Sequence, residues 1–544
     1  MKNNLRQWVG LGLFALTTCL PAVAGAAHPP LCNVTPTAPS PTQPNIVVIM
    51  VDDLDVMTFQ HGLAAGLFPN IKTYLVDQGL TFSRFYVTNS LCCPSRATFL
   101  KGQYSHNHPF KSNNDPQPVI EHMHDCDTLP VKLQARGYRT SLIGKYLSLY
   151  GLADLDQDGV PPRNAALQPL DMNDLTAIPP GWNDWAGFLD PFNFAMYGYQ
   201  VNDNGQHTVP SLGIHQTDYV RNRALQFIDQ TETQDDSAPF FLALMPTTPH
   251  VEATPGTTDW HEAMAWDITP ALRYRFTSTL TLPQTPSFAE ADVSDKPQWL
   301  QDRDRLTDAD KINLNRHYGN RIRTMRSIDD LVGALILKLI QRQELSRTVI
   351  LFTSDNGFLL GQHGLTQKLY AYEESIRVPL QIRLPQGTTA PALTQFVLNN
   401  DLAPTILELA GAPIPSTMDG TSLVPLLSNP QVDWRRRFLV EHIRASDSFL
   451  EVPSYKAVRT SPADTSISEL LYVEYDEAEQ TPELYDLHAN DDPFQLASKH
   501  NSQDPGRLYQ MQTLRGIKDA LATCTGATCR AIEFCGDGLC AARP

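Results

Sequence analysis

Cys92-Cys93-Pro94-Ser95-Arg96, closed by Leu100 and Gly102, holds a thiol, a proline and an arginine at a spacing that can do chemistry. Pro94 suits the first turn of a helix, where its missing N–H costs no hydrogen bond. Ala97-Thr98-Phe99-Leu100 can continue that helix. The spacing then puts Cys92 just outside the N-terminus, where free N–H groups and the helix dipole favour an anion. Arg96 follows one turn later with planar, bidentate donors. This is a reactive side chain in an anion pocket. The same residues could instead serve a structural disulfide framework, with Arg96 a surface charge.

Two apolar runs end in oxygen ligands. Ile46 to Val51 leads into Asp52-Asp53, and Thr348 to Thr353 leads into Ser354-Asp355-Asn356-Gly357. Both runs read as strands buried on both faces of a parallel sheet, and the C-terminal edge of such a sheet is its usual ligand edge. If the two strands are neighbours, Asp52, Asp53, Asp355 and Asn356 meet as a hard oxygen cage suited to Ca²⁺, with Mg²⁺ second. No soft ligand is offered, which disfavours zinc. Three buried carboxylates are costly without a counter-charge, so the cluster itself argues for a cation. The competing use of Asp52-Asp53 is to cap a following helix.

Other chemical groups fall at strand ends. Tyr138 to Ile143 delivers Gly144-Lys145-Tyr146, and Phe240 to Met245 delivers Pro249-His250. Lys368 follows the second oxygen cluster within Gly364-Leu365-Thr366-Gln367-Lys368. A lysine there can bind an anion, and a histidine can bind one or act as general acid. The plain alternatives are surface lysines and a structural histidine. Asp154-Leu155-Asp156-Gln157-Asp158-Gly159 matches the first half of a calcium loop, but Ala165 stands where the bidentate glutamate belongs, so it reads as a turn with weak cation binding.

In content and order these segments resemble the sulfatase family. Asn45 to Asp53, Cys92 to Gly102, Gly144-Lys145, Pro249-His250, Ser354 to Gly357, Lys368, Tyr372 to Pro379 and Asp401 to Gly420 all have counterparts there. The resemblance covers roughly residues 45 to 500. It implies that Cys92 is oxidised to formylglycine by a maturation enzyme. A hydrated aldehyde offers one hydroxyl to attack sulfur and a second to expel sulfate afterwards. It also implies that Asp52, Asp53, Asp355 and Asn356 hold calcium together with the modified Cys92. Arg96, Lys145, His250 and Lys368 would bind sulfate, with His250 or Lys368 protonating the leaving oxygen. One departure stands out: many sulfatases carry a histidine two residues after the lysine matched by Lys145, where this chain has Leu147. Gly144-Lys145-Tyr146-Leu147, Cys92-Cys93 and Gly102 to His108 look more like the glucosamine-6-sulfatase and heparan endosulfatase branch. His106 and His108 are the candidates to replace the missing histidine.

The elements that must position these groups set the fold. The expected class is α/β, a large mostly parallel sheet flanked by helices. Helices are expected over Phe68–Gln78, Leu129–Arg136, Arg221–Thr231 and Lys311–Leu345. The last carries Ile322, Met325, Ile328, Leu331, Leu335 and Leu339 on one face. From Trp434 onward the short strands 438–443, 455–459, 470–475 and 483–487 predict a small antiparallel sheet. Leu508, Met511, Leu514, Ile517 and Leu521 mark a helix packed on it.

At 544 residues, with 42% hydrophobic, the chain can bury a large core. Its net charge of −17 argues against nucleic acid and anionic membranes as partners, and requires a local basic pocket for any anionic substrate. Lys2 and Arg6 before the apolar run Val9–Leu16, with small residues at 22–26, read as an export signal. That places the protein in the periplasm or outside the cell, where disulfides are permissible. Past the signal, Cys32, Cys92, Cys93, Cys126, Cys524, Cys529, Cys535 and Cys540 remain, the last four reading as a stapled tail with zinc as the competing use. No later segment has the apolar length to span a bilayer. The expected organisation is signal peptide 1–26, linker 27–44, catalytic domain 45–430, C-terminal subdomain 431–520 and Cys-rich tail 521–544. The expected function is hydrolysis of aryl or carbohydrate sulfate esters. Its rivals are a phosphodiesterase or phosphonate monoester hydrolase on the same fold, and a non-catalytic binder of sulfated glycans should Cys92 stay unmodified. The loops around 151–215 and 251–310, which would read the alcohol portion, carry no decodable motif.

Overall fold

The apolar runs that end in candidate ligands form the middle of one nine-stranded sheet. Its order from edge to edge is Leu80–Phe82, Leu380–Arg383, Thr348–Ser354, Asn45–Val51, Phe240–Met245, Arg139–Lys145, Asp184–Phe188, Val201–Asp203 and Gln206–Thr208. The five strands from Thr348–Ser354 to Asp184–Phe188 run parallel, and the outer strands pair antiparallel. This is a computed structural model. It describes residues 32, 35–40, 42–114, 125–151, 177–234, 238–252, 267–444, 452–464 and 467–535. The expected signal peptide, the Asp154–Gly159 turn and Cys540 lie outside the described residues.

The central strand Asn45–Val51 is buried along its whole length, and its side chains divide between two cores. Val47, Ile49 and Val51 face one core with Ile322, Met325, Ile328, Leu331, Leu335 and Leu339 of the long helix Asp308–Gln341. Ile46, Val48 and Met50 face the other, with Ala97, Phe99 and Leu100 of the cysteine helix and much of the C-terminal sheet. Two-sided burial of β-branched and aliphatic residues is what a central parallel strand requires. The long helix starts in a capping box between Thr307 and Asp310.

The C-terminal sheet is antiparallel, in the order Arg437–His442, Tyr455–Thr460, Leu470–Tyr475, Glu483–Asp486. The helix Pro505–Leu521 packs on it through buried Leu514 and Leu521, while Leu508 of the expected apolar face is 45% exposed. One other expectation changes. The helix expected over Phe68–Gln78 is a short α-turn, Pro69–Ile71, followed by a π-turn, Lys72–Val76. The apolar stretch 80–87 is likewise divided: Leu80–Phe82 is an edge strand of the main sheet, and Phe85–Tyr86 leaves it to pair with Val397–Leu398. The described part of the expected linker is tied to the body: Thr37 donates its N–H to the Ala135 carbonyl at 3.0 Å, Gln43 Nε2 donates to the Ala410 carbonyl at 2.9 Å, and Cys32 is disulfide-bonded to Cys126.

Candidate active site

Parallel pairing in register brings the oxygen ligands together. Val51 lies opposite Ser354, so Asp52 and Asp355 leave adjacent strands at the same level. Asp52, Asp53, Asp355 and Asn356 are all buried. Asp53 adopts φ +65°, a left-handed conformation that a non-glycine residue holds at a cost of about 1–3 kcal/mol. It is pinned there by three contacts. Its N–H donates to Asp355 Oδ1 at 3.2 Å, its carbonyl accepts from Arg321 Nη2, and its Oδ1 accepts from Asn356 Nδ2 at 2.6 Å. Two oxygens in this group, Asp53 Oδ2 and Asn356 Oδ1, find no hydrogen-bond donor among the described residues. Buried oxygens are ordinarily satisfied, so both are available to a ligand that brings positive charge.

The cysteine helix spans Cys92–Lys101, so Cys92 is its first residue rather than the residue before it. Pro94 still falls among the first N–H positions, which need no intrahelical partner. Gly102 ends the helix at φ +65°, returning its N–H to the Thr98 carbonyl. Cys92 Sγ lies 3.6 Å from Asp52 Oδ1 and 2.8 Å from Lys368 Nζ. Donor atoms of Asp52, Asp53, Cys92 and His250 all lie within 4.8 Å of one another. Burial, then the Asp52 charge, pushes the Cys92 thiol up to about 11. The free thiol is therefore a poor nucleophile near neutral pH, because thiolate is the reactive form.

The four expected cations converge on the same carboxylates. Lys145 Nζ donates to Asp52 Oδ2 at 2.5 Å, and Lys368 Nζ donates to Asp53 Oδ1. Arg96 Nε donates to Asp355 Oδ2 at 2.8 Å, and its Nη1 donates to the Lys145 carbonyl at 2.8 Å. Its Nη2 stands 3.5 Å from Asp52 Oδ2. Arg96 thus braces the ligand cluster from beneath, a role the motif alone did not show. His250 Nε2 stands 3.6 Å from Asp53 Oδ2, and its Nδ1 is turned to the Val251 carbonyl at 2.7 Å. Burial pushes His250 down to about 4 against the pull of Asp53 and Asp52, so its ring is neutral at pH 7. Burial alone would raise Asp52, but Lys145, His250 and Arg96 hold it below the ordinary carboxylate range. Burial and the Asp52 charge push Asp355 upward.

Backbone geometry delivers these cations. Gly144 has φ +122°, and a Cβ there would lie 2.1 Å from the Met245 carbonyl oxygen, so only glycine can precede Lys145 on this strand. Lys368 sits between Gln367 and Leu369, both left-handed at φ +74° and +83°.

Several residues of the site were not singled out in the sequence. Arg321, fully buried in the long helix, reaches the carbonyls of Asp53 and Pro249 and Asp55 Oδ2 at 3.1 Å. An arginine between Tyr318 and Ile322 on an apolar face was the available signal. Ser95 Oγ donates to the Asp355 carbonyl and accepts from Asn399 Nδ2 at 3.0 Å, linking the cysteine helix to the ligand strand. The Phe194 ring lies 4.8 Å from Lys145 Nζ and 4.7 Å from the His250 ring; nothing in its local sequence announced it. His106 and His108, the candidates for the missing histidine, are engaged elsewhere. His106 bridges Glu441 and the Cys524 carbonyl, each at 3.0 Å, and His108 Nε2 meets Thr98 Oγ1 at 3.0 Å. Among the cysteines, Cys524 pairs with Cys529, which removes the zinc reading of that pair, and Cys93 is a buried free thiol.

The fold and this edge define a class, α/β proteins that place a buried thiol beside an acidic strand edge whose donor atoms are close enough together to hold a metal ion. Comparison narrows it. The sulfatase family model matches residues 44–412, and a model of the C-terminal part of N-sulphoglucosamine sulphohydrolase matches residues 361–515. The chain belongs to the sulfatase family, enzymes that hydrolyse sulfate esters. It is 30% identical over 524 residues to the N-acetylglucosamine-6-sulfatase of Capra hircus, covering 90% of this chain and 85% of that protein. It is 32% identical over 409 residues to an extracellular sulfatase homologue of Drosophila melanogaster, covering 73% of this chain. The chain spans 33% of that longer protein. The fold is shared with a solved structure described in complex with its substrate D-glucosamine-2-N,6-O-disulfate, at a TM-score of 0.63 and 22% identity over 88% of this chain and 98% of that one. It is also shared with a phosphonate monoester hydrolase from Silicibacter pomeroyi, at a TM-score of 0.61 and 19% identity over 90% and 97%.

Proposed function

We propose that this protein is an exported, calcium-dependent sulfatase acting on sulfated amino sugars, with Cys92 converted to formylglycine by a maturation enzyme. The observation that carries the reading is the cluster around Cys92: a buried carboxylate oxygen and a buried amide oxygen without donors among the described residues, and a lysine 2.8 Å from the sulfur. The residues fit a calcium ion. Asp52, Asp53, Asp355 and Asn356 supply hard oxygen donors, and replacing the Cys92 sulfur by aldehyde-hydrate oxygens removes the one soft donor from the cage. Bound there, calcium would offset the carboxylate charge and polarise sulfate oxygens; formylglycine would supply a geminal diol as nucleophile.

The chain's own groups divide the remaining work. Arg96 fixes Asp355 and the Lys145 backbone, and so sets the distance between nucleophile and ligands. Lys145 and Lys368 are held protonated by Asp52 and Asp53, and each presents an ammonium group to a sulfate anion. His250, neutral at pH 7 with its one proton on Nδ1 facing the Val251 carbonyl, presents Nε2 as an acceptor and has no proton there to give. Lys368 is therefore the group we assign to protonate the leaving oxygen. The amino-sugar assignment follows the N-acetylglucosamine-6-sulfatase relatives and the resemblance of the Cys92-Cys93 and Gly144-Lys145-Tyr146-Leu147 segments to that branch. Export is supported by the charged and apolar N-terminus and by the disulfides Cys32–Cys126 and Cys524–Cys529. No described helix is long and apolar enough to cross a membrane. We divide the chain into signal peptide 1–26, linker 27–44, catalytic domain 45–430, C-terminal subdomain 431–520 and tail 521–544.

The test is mass spectrometry of the Cys92 peptide from active protein, together with rates on N-acetylglucosamine-6-sulfate, a nitrophenyl sulfate and a phosphate diester. We expect formylglycine at Cys92 and sulfate-ester rates far above the diester rate. Full turnover with an unmodified thiol would overturn the mechanism, and a faster diester rate would replace it with the phosphodiesterase reading.

A further inference from the structure

The long helix Asp308–Gln341 runs through a short turn into the ligand strand Thr348–Ser354. Its C-terminal end therefore lies at the start of that strand and its N-terminal end at the ligand edge. Between this N-terminal end and the hairpin formed by Leu359–Leu360 and Thr366–Gln367 is a cavity of about 370 Å³, lined among others by Arg303, Asp304, Asp310, Asn313, His317 and Thr366. None of the residues assigned above to catalysis or metal binding lines it, yet it is coupled to them on two sides. His317 is one helical turn before Arg321, which holds the Asp53 and Pro249 carbonyls. Thr366 is two residues before Lys368.

His317 makes the cavity more than a surface dent. Its side chain is 1% exposed, and neither ring nitrogen has a hydrogen-bond partner among the described residues. A buried imidazole with both nitrogens idle leaves its desolvation cost unmet until something binds. Burial and the Arg321 charge also hold this ring neutral, so it offers one donor and one acceptor. The guanidinium of Arg303 lies over the Trp299 ring at 5.4 Å and adds donors at the mouth. Asp304 and Asp310 add acceptors. Two carboxylates against one guanidinium disfavour an anion. The donors and acceptors instead match the hydroxyls of a neutral ring, and the volume is at the small end of the roughly 300–1,000 Å³ range of ligand sites.

We propose that this cavity is a binding subsite for a neutral sugar ring attached to the sulfated one, so that the protein prefers an oligosaccharide to a free monosaccharide sulfate. The inference rests on the sugar-sulfatase reading above for its biological setting, but its test is a binding measurement. Titration calorimetry on the full protein would use the unsulfated disaccharide of N-acetylglucosamine, with a uronic-acid disaccharide of equal size as the second arm. Asn313→Trp fills the mouth from an exposed helix position, and Arg303→Ala removes donors without touching the core. Both should weaken neutral-disaccharide binding by about tenfold or more, the equivalent of one or two lost hydrogen bonds. Both should leave nitrophenyl sulfate turnover within about twofold, since an aryl ester has no second ring to place there. Unchanged affinity in both variants, or tighter binding of the acidic disaccharide, overturns the subsite. Failure of the unsubstituted protein to turn over any sulfate ester would overturn the sulfatase reading instead, and the calorimetry would still decide the cavity.

Discussion

Two buried charge clusters in this molecule use the same residue types to opposite ends. At the C-terminal side, Arg435 makes paired bonds to Asp401 at 2.6 and 2.7 Å and a third to Glu533 at 2.8 Å, and Tyr104 donates its hydroxyl to Glu533. Both carboxylates of that cluster are spoken for, and the network joins the terminal helix Ala527–Phe534 to the catalytic body. At the sheet edge, Asp53 Oδ2, Asn356 Oδ1 and Arg96 Nη2 lack hydrogen bonds among the described residues. Burial alone does not separate structure from function, since Asp401 and Asp53 are equally hidden. What differs is the pairing around them: Asp401 is held on both oxygens by Arg435, whereas Asp53 keeps Oδ2 without a hydrogen bond among the described residues.

The sharpest break of this comparison is at Cys92. Cys92→Ala should lower turnover by roughly 10⁴–10⁶-fold, as nucleophile deletions do, and leave the melting temperature within a few degrees. Rates on sugar and nitrophenyl sulfates with matched circular dichroism melts check this. Lys368→Ala comes next. Loss of general acid catalysis costs about 10²–10⁴-fold on sugar sulfates and much less on nitrophenyl sulfate, whose leaving group needs little protonation. Equal losses on both substrates would move Lys368 from proton donor to anion binder. At the satisfied cluster the signature should invert. Arg435→Met strands two buried carboxylates and should cost about 3–5 kcal/mol of stability, with kcat of the surviving folded protein unchanged; denaturant melts alongside active-site-normalised rates decide it.

Asp355→Asn tests the cation reading. One charge of the cage is lost while packing is kept, so calcium should raise the melting temperature of the unsubstituted protein and not of the variant. Activity should fall at least about 10-fold. Normal calcium content by metal analysis with a normal rate would contradict the assignment. The smallest effect lies outside both clusters, at His215. Its Nε2 meets the Thr269 carbonyl at 3.1 Å, its Nδ1 accepts the Thr217 N–H at 3.3 Å, and burial pushes it down to about 4. A histidine depressed in the folded state stabilises above its ordinary value near 6.5 and loses that contribution as pH falls toward 4, up to about 3 kcal/mol. His215→Asn should flatten the melting temperature over that window; an unchanged slope would assign the acid sensitivity elsewhere.

The strands and the polar pairs at their ends were legible in the sequence because each is a local signal. Six apolar residues in a row can only be buried, and a carboxylate pair at the end of such a run has few uses away from a sheet edge. The helix through Pro94 and Arg96 was legible for the same reason. What the chain could not show on its own was which groups complete one another across long separations. Arg96 reads locally as a substrate cation, yet register places it under Asp355, 259 positions away. His106 and His108 read as candidates for the gap at Leu147, and packing gives them to Glu441 and Thr98. Arg321, Phe194 and His317 carry no motif, because their roles arise from neighbours supplied by other strands and loops. Composition and periodicity fix which residues are buried. Only tertiary register decides which buried polar atoms are satisfied, and at this sheet edge it leaves Asp53 Oδ2 and Asn356 Oδ1 without donors among the described residues.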